Sequence, residues 1–187
     1  MVKRIAVEAG VLTLDYFEET GFAGDADSKT DGSPVTRADQ RAEALIEKAL
    51  GEMTPDVPMI GEEAVSEGRI PDLTGADYFW LVDPLDGTRE FISGSGDYTV
   101  NIALIYKGMP LVGVVYAPVR GELYAGHGPG TAVRYLEDSD KEKPIHVRPP
   151  PAEGLTVVAR LRHGDPGRLD AFLRDYKVAK LLTRVSD

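Results

Sequence analysis

The chain has no cysteine, and that absence removes disulfides, thiolate zinc sites, iron–sulfur clusters and cysteine nucleophiles together. It also lacks any apolar run near the ~18 residues of a membrane span, so no membrane partner is expected. The N-terminal stretch opens with Lys3 and Arg4, but Glu8, Asp15, Glu18 and Glu19 interrupt its apolar residues. That pattern predicts an amphipathic helix and not a signal peptide, with the cytoplasm as the expected compartment. Positive charge is scarce as well: 21 Lys+Arg face 31 Asp+Glu, a formal net charge of -10. So acidic a balance argues against a nucleic-acid polymer as partner. No Gly-x-Ser-x-Gly elbow occurs, and Gly94-Ser95-Gly96 lacks the Lys-Ser/Thr tail of a phosphate-binding P-loop.

What remains is an ordinary globular composition, 42% hydrophobic and 28% charged over 187 residues. At that length a core can be buried without a metal or a cross-link. Val2, Ile5, Ala9, Leu12 and Tyr16 recur at steps of three and four, predicting a helix over about residues 2–19. A second helix is predicted from Thr36, with Ala38, Ala42, Leu45, Ile46 and Ala49 as its buried stripe and Pro55 and Pro58 beyond its end. Tyr78-Phe79-Trp80-Leu81-Val82 is a continuous apolar run, expected to be a buried strand. Alternation over Tyr98–Tyr106, a Lys107–Pro110 turn, Leu111–Ala117, Leu123–Ala125 and Ala132–Leu136 then predicts an antiparallel meander. The class is α+β: two N-terminal helices packed on an antiparallel sheet.

Pro149-Pro150-Pro151 is the expected boundary, because three prolines give a stiff connector. A first domain is therefore predicted over 1–148 and a second over 152–187, the latter reading strand, helix, strand: the opening of an α/β unit that stops before it could close.

The densest chemistry lies in Trp80-Leu81-Val82-Asp83-Pro84-Leu85-Asp86-Gly87-Thr88. A strand delivers Asp83 to its end, Pro84 fixes the turn, and Asp86 follows three residues later. Two carboxylates in one small volume stay ionised together only beside a cation, and hard oxygen donors favour Mg²⁺ or Ca²⁺. The amides opening the segment after Gly87 would face that cation and suit a phosphate. The plainer reading is a strand-ending turn, for which Asp, Pro and Gly are the usual residues. Glu62 and Glu63, taken alone, read as a solvated pair. Thr36-Arg37-Ala38-Asp39 fits a capping box with Asp in place of Glu, so Asp39 could serve only its helix. Lys29 and Asp31 sit in a polar loop where charges are normally just solvated. His127, His146 and His163 lie in separate segments without ligand spacing and are not expected to bind metal.

Three of these segments, in this order, resemble the inositol monophosphatase superfamily of magnesium-dependent, lithium-sensitive phosphomonoesterases. Ser33-Pro34-Val35-Thr36-Arg37-Ala38-Asp39 is similar to its Pro-Val-Thr-x-x-Asp segment, Gly61-Glu62-Glu63 to its Glu-Glu segment, and Asp83-Pro84-Leu85-Asp86-Gly87-Thr88 to its diagnostic signature. Arg89-Glu90-Phe91-Ile92, Tyr98–Ile105 and Gly113–Val119 resemble the 3'(2'),5'-bisphosphate nucleotidase branch; the inositol monophosphatase branch usually has Asn where Glu90 stands. The resemblance implies the layered α/β sandwich of sugar phosphatases. It implies two or three Mg²⁺ ions held by Glu62, Asp83, the Leu85 carbonyl and Asp86, with Asp83 bridging two of them. Asp86, Gly87 and Thr88 would hold the scissile phosphate beside Glu62 and Leu85, and Thr88 with Asp39 would orient and deprotonate the attacking water.

The expected substrate is a small phosphorylated metabolite, adenosine 3',5'-bisphosphate giving AMP and phosphate, with an inositol or other sugar phosphate as the alternative. The chain also departs from the pattern. Trp80 is its only tryptophan, so the family's later Trp-Asp segment has no counterpart. Arg160-Leu161-Arg162-His163 replaces an expected Ser-Arg-Ser-His, and Thr183–Asp187 stands where Ser-Ser-Leu-Lys is due. A shortened member is one expectation. A non-catalytic remnant that binds metal or phosphate, or pairs as a homodimer through the apolar edges of 155–182, is another.

Overall fold

The computed structural model describes residues 1–19, 27–28, 34–35, 37–159 and 166–183. The chain divides into two compact units, Met1–His146 and Val147–Asp187. The first begins with α1 (Val2–Glu19), a short ladder pairing β1 (Asp27–Ser28) with β2 (Pro34–Val35), and α2 (Arg37–Met53). Then come β3 (Met59–Gly61), α3 (Glu62–Ser66), β4 (Tyr78–Asp86), α4 (Thr88–Ile92), β5 (Thr99–Tyr106), β6 (Met109–Ala117), β7 (Glu122–Gly126), β8 (Val133–Leu136) and β9 (Lys141–Pro144). The last seven strands form one sheet in sequence order. The fold class is the expected α+β.

The sheet is not purely antiparallel. β3 runs parallel to β4, pairing Met59 with Trp80 and Gly61 with Val82, while every later neighbour is antiparallel. Parallel neighbours need a crossover, supplied here by α3 and the segment up to Asp77. β4 also differs from a fully buried strand. Trp80 and Val82 are buried, but Leu81 between them is 46% exposed. The reason is that α1 and α2 cover one face only. Ile5, Ala6 and Ala9 of α1 and Ala42, Ile46 and Leu50 of α2 pack with Trp80, Val82, Val100, Ile102 and Tyr116. Burying each large apolar side chain there contributes about 1.5–3 kcal/mol. Trp80 is fixed further because its indole N–H donates to Thr54 Oγ1 at 2.9 Å, just past the end of α2.

The second unit contains β10 (Leu155–Ala159), α5 (Pro166–Leu173) and β11 (Val178–Thr183), with β10 and β11 parallel. No helix among the described residues is long and apolar enough to cross a membrane.

Candidate active site

The site grows from a fault in the β4–β5 ladder. Asp83 pairs with Asn101, but the next pair is Asp86 with Thr99, so three steps on β4 meet two on β5. Such a bulge bends its strand and re-aims side chains, and Pro84, which has no N–H to give a ladder, sits inside it. The bent segment is held by its own polar groups. Leu85 N–H donates to Asp83 Oδ1 at 3.2 Å, and the Thr88 hydroxyl reaches the Leu85 carbonyl at a loose 3.4 Å. From β5, Thr99 donates to Asn101 Oδ1 at 3.1 Å, and Asn101 Nδ2 approaches Asp86 Oδ2 at 3.4 Å.

Gly87 ends the bulge with φ +102°, the left-handed region, and α4 starts immediately after it. A Cβ there would lie 3.0 Å from the Asp97 carbonyl oxygen and 3.1 Å from Tyr98 Cα. Gly87→Ala should therefore destabilise the chain by about 1–3 kcal/mol and displace Thr88, a change that thermal melts would read as a lower Tm. Beneath this turn, Leu85 is fully buried with Ala38, Phe91 and Tyr98. The Phe91 and Tyr98 rings meet edge-on, 5.0 Å apart, and the Tyr98 and Thr13 hydroxyls lie 3.0 Å apart. Ala38 places the first turn of α2, which carries Asp39, against the underside of the signature.

Asp83 is more buried than its acidic neighbours. Burial first, then the charges of Glu62 and Asp86, push its carboxyl up from the usual 3.8 to about 7, and Glu62 also hydrogen-bonds to it. The structure thus brings Glu62, Asp83 and Asp86 into one electrostatic group drawn from two adjacent, parallel-paired strand ends. Among the described residues no three carboxylate or imidazole groups converge closely enough to hold a metal ion between them. The donor set nevertheless fits a hard divalent cation. It consists of carboxylates and a carbonyl only, and Asp83 is penalised by like charges that a cation would offset.

Asp39 is 1% exposed, a carboxylate taken out of water and not a solvated cap. Thr36, Lys29, Asp31 and His163 lie outside the described residues, so the capping box and the polar-loop charges are not described. His127 and His146 are exposed and far in sequence from the acidic group. The Glu62–Glu63 pair divides: Glu62 is exposed, whereas Glu63 is buried.

One residue that sequence reasoning passed over is Glu43. It is 3% exposed, and its carboxylate accepts the Glu63 N–H and the Ala64 N–H, each at 2.7 Å. Burial raises its carboxyl while those two hydrogen bonds lower it, and burial prevails. A signal did exist. Glu43 stands four residues after Asp39 and in phase with Ile46 and Leu50, so both acids lie on the face that α2 buries.

Residues 2–179 match the family model described as the inositol monophosphatase family. The chain belongs to that family. It is 40% identical over 177 residues to the 3'(2'),5'-bisphosphate nucleotidase CysQ of Escherichia coli K12, covering 94% of this chain and 66% of that protein. A histidinol-phosphatase of Chlorobaculum parvum is 42% identical over 120 residues, 64% of this chain and 44% of that protein. Among solved structures, CysQ from Bacteroides thetaiotaomicron, a bacterial member of the inositol monophosphatase family, aligns with TM-score 0.73 and 31% identity. That alignment covers 96% of this chain and 69% of the CysQ chain. The chain thus spans about two thirds or less of the length of these curated relatives.

Proposed function

We propose that the chain carries the metal- and phosphate-binding part of a magnesium-dependent phosphomonoesterase acting on adenosine 3',5'-bisphosphate, with AMP and phosphate as products. The observation that supports this most is the crowding of Asp83 by Glu62 and Asp86 at the bulged end of β4, directly before the left-handed Gly87. Family membership and 40% identity to a protein named for 3'(2'),5'-bisphosphates support the substrate class. Glu90-Phe91 after the signature points the same way.

Glu62, Asp83, the Leu85 carbonyl and Asp86 would hold two or three Mg²⁺ ions. Bound there, the metal would supply Lewis-acid neutralisation of phosphoryl charge, the main requirement for an ester that hydrolyses so slowly unaided. The chain's own groups do the rest. Gly87 turns the backbone so that the first amides of α4 can face phosphate oxygens, and Asp86, Gly87 and Thr88 orient the scissile group. The Thr88 hydroxyl, only loosely tied to the Leu85 carbonyl, is free to turn toward an attacking water. Asp39 would accept the proton that leaves through Thr88 Oγ1; it is 1% exposed, and a hydrogen bond formed to a carboxylate so removed from solvent is the stronger for it. Inhibition by Li⁺ and action on a cytoplasmic metabolite belong to the same proposal.

The deciding experiment compares phosphate release from adenosine 3',5'-bisphosphate, inositol 1-phosphate, fructose 1,6-bisphosphate and histidinol phosphate, each with and without Mg²⁺. The bisphosphate nucleotide should give the highest kcat/KM. A preference for any of the other three esters would overturn the nucleotidase assignment while leaving a phosphatase.

A further inference from the structure

We infer that Glu43 is a positioning residue for the cation site, acting from α2 on the segment that carries Glu62. This inference rests on the metal-binding reading above and adds to it a residue outside the proposed ligand set.

The geometry points to a clamp. α3 opens at Glu62, and its N-cap, Gly61, makes no side-chain capping bond. The free amides that follow are taken instead by a residue twenty positions earlier. Glu43 Oε2 receives Glu63 N–H and Oε1 receives Ala64 N–H, both at 2.7 Å, the short range of charge-assisted bonds. Gly61 leaves the space this needs, since a Cβ there would stand 2.4–2.6 Å from the Glu43 carboxyl atoms. On the other side Gly61 pairs with Val82, the residue before Asp83. Glu62 therefore lies between two fixed supports, the strand ladder to β4 and the Glu43 carboxylate, and its distance to Asp83 is set by both. A buried charge is a costly choice on a helix face that otherwise buries Ala38, Ala42, Ile46 and Leu50 beside one other acid, Asp39, and apolar side chains could have packed α3 without it. A carboxylate gives what they could not, a fixed orientation of two consecutive amides. Groups that orient metal ligands typically change metal affinity 10- to 100-fold when removed.

The test uses Glu43→Gln, which keeps the size of the side chain but presents an amide NH₂ toward one of the two N–H groups. Glu47→Gln, an exposed acid one turn along α2, is the control. Mg²⁺ binding by calorimetry should weaken at least about tenfold in Glu43→Gln and stay unchanged in Glu47→Gln. Amide exchange at Glu63 and Ala64 should accelerate in Glu43→Gln without Mg²⁺ present. A Glu43→Gln protein that is folded, has a lowered Tm and binds Mg²⁺ as tightly as the parent would make the clamp merely structural and overturn the inference. A parent chain that binds no Mg²⁺ would remove the metal reading itself and this inference with it. Protected Glu63 and Ala64 amides in that parent would still show the clamp intact, so the two failures can be told apart.

Discussion

Asp83→Asn should cut Mg²⁺-dependent phosphate release by about 10³-fold while leaving the metal-free chain as stable as the parent or more so. The two effects have one origin. Asp83 is half-buried beside Glu62 and Asp86, and its carboxyl is pushed up to about 7, so ionising it costs the folded state. Because the folded carboxyl holds its proton more tightly than the unfolded one, its protonation favours folding below about pH 4. That contribution is lost as pH rises from the usual 3.8 to about 7. Asn removes this charge, so the melting temperature of the variant should fall less between pH 4.5 and 7.5 in EDTA. Added Mg²⁺ at pH 7.5 should raise the Tm of the parent and barely move that of the variant. Identical pH slopes in the two proteins would mean that Asp83 carries no such penalty.

The second large effect is expected at Asp39. Asp39→Asn keeps the shape of the side chain and an oxygen able to cap α2, so secondary structure should be preserved. Loss of the proton acceptor should nevertheless lower kcat by ~10² or more with KM changed little. The measurement is steady-state phosphate release alongside circular dichroism of the same preparations. A folded variant with normal turnover would leave Asp39 as a helix-capping residue only. The rate should fall without a matching fall in Mg²⁺ affinity, which separates Asp39 from Glu62, Asp83 and Asp86.

Much of the fold was legible because side-chain pattern and burial agree there. α1 reads at steps of three and four, and β5 alternates because only one sheet face meets the helices. Legibility fails where backbone pairing or a distant partner decides. β9 is Lys141-Glu142-Lys143-Pro144, with no apolar alternation and every residue exposed; it is a strand because β8 offers it an edge. β3 has three residues, too few for a period, and its parallel pairing depends on a crossover that no local pattern encodes. The continuous apolar run of β4 suggested burial on both sides, but Leu81 faces the side the helices leave uncovered. At the site, the Asp-Pro-Leu-Asp-Gly-Thr spacing was informative because a proline and a left-handed glycine constrain the backbone locally. Glu43 was not, since its partners, the Glu63 and Ala64 amides, are set by tertiary packing. Its phase on the buried face of α2 was the one available sign.

The most direct measurement is phosphate release from adenosine 3',5'-bisphosphate by this chain as Mg²⁺ is titrated from none to saturation, with Asp83→Asn run in parallel. The expected result is no release without Mg²⁺, saturable release with it, and release from the variant slower by about 10³-fold. Release that is independent of Mg²⁺, or that survives unchanged in Asp83→Asn, would contradict a catalytic site built on Glu62, Asp83 and Asp86.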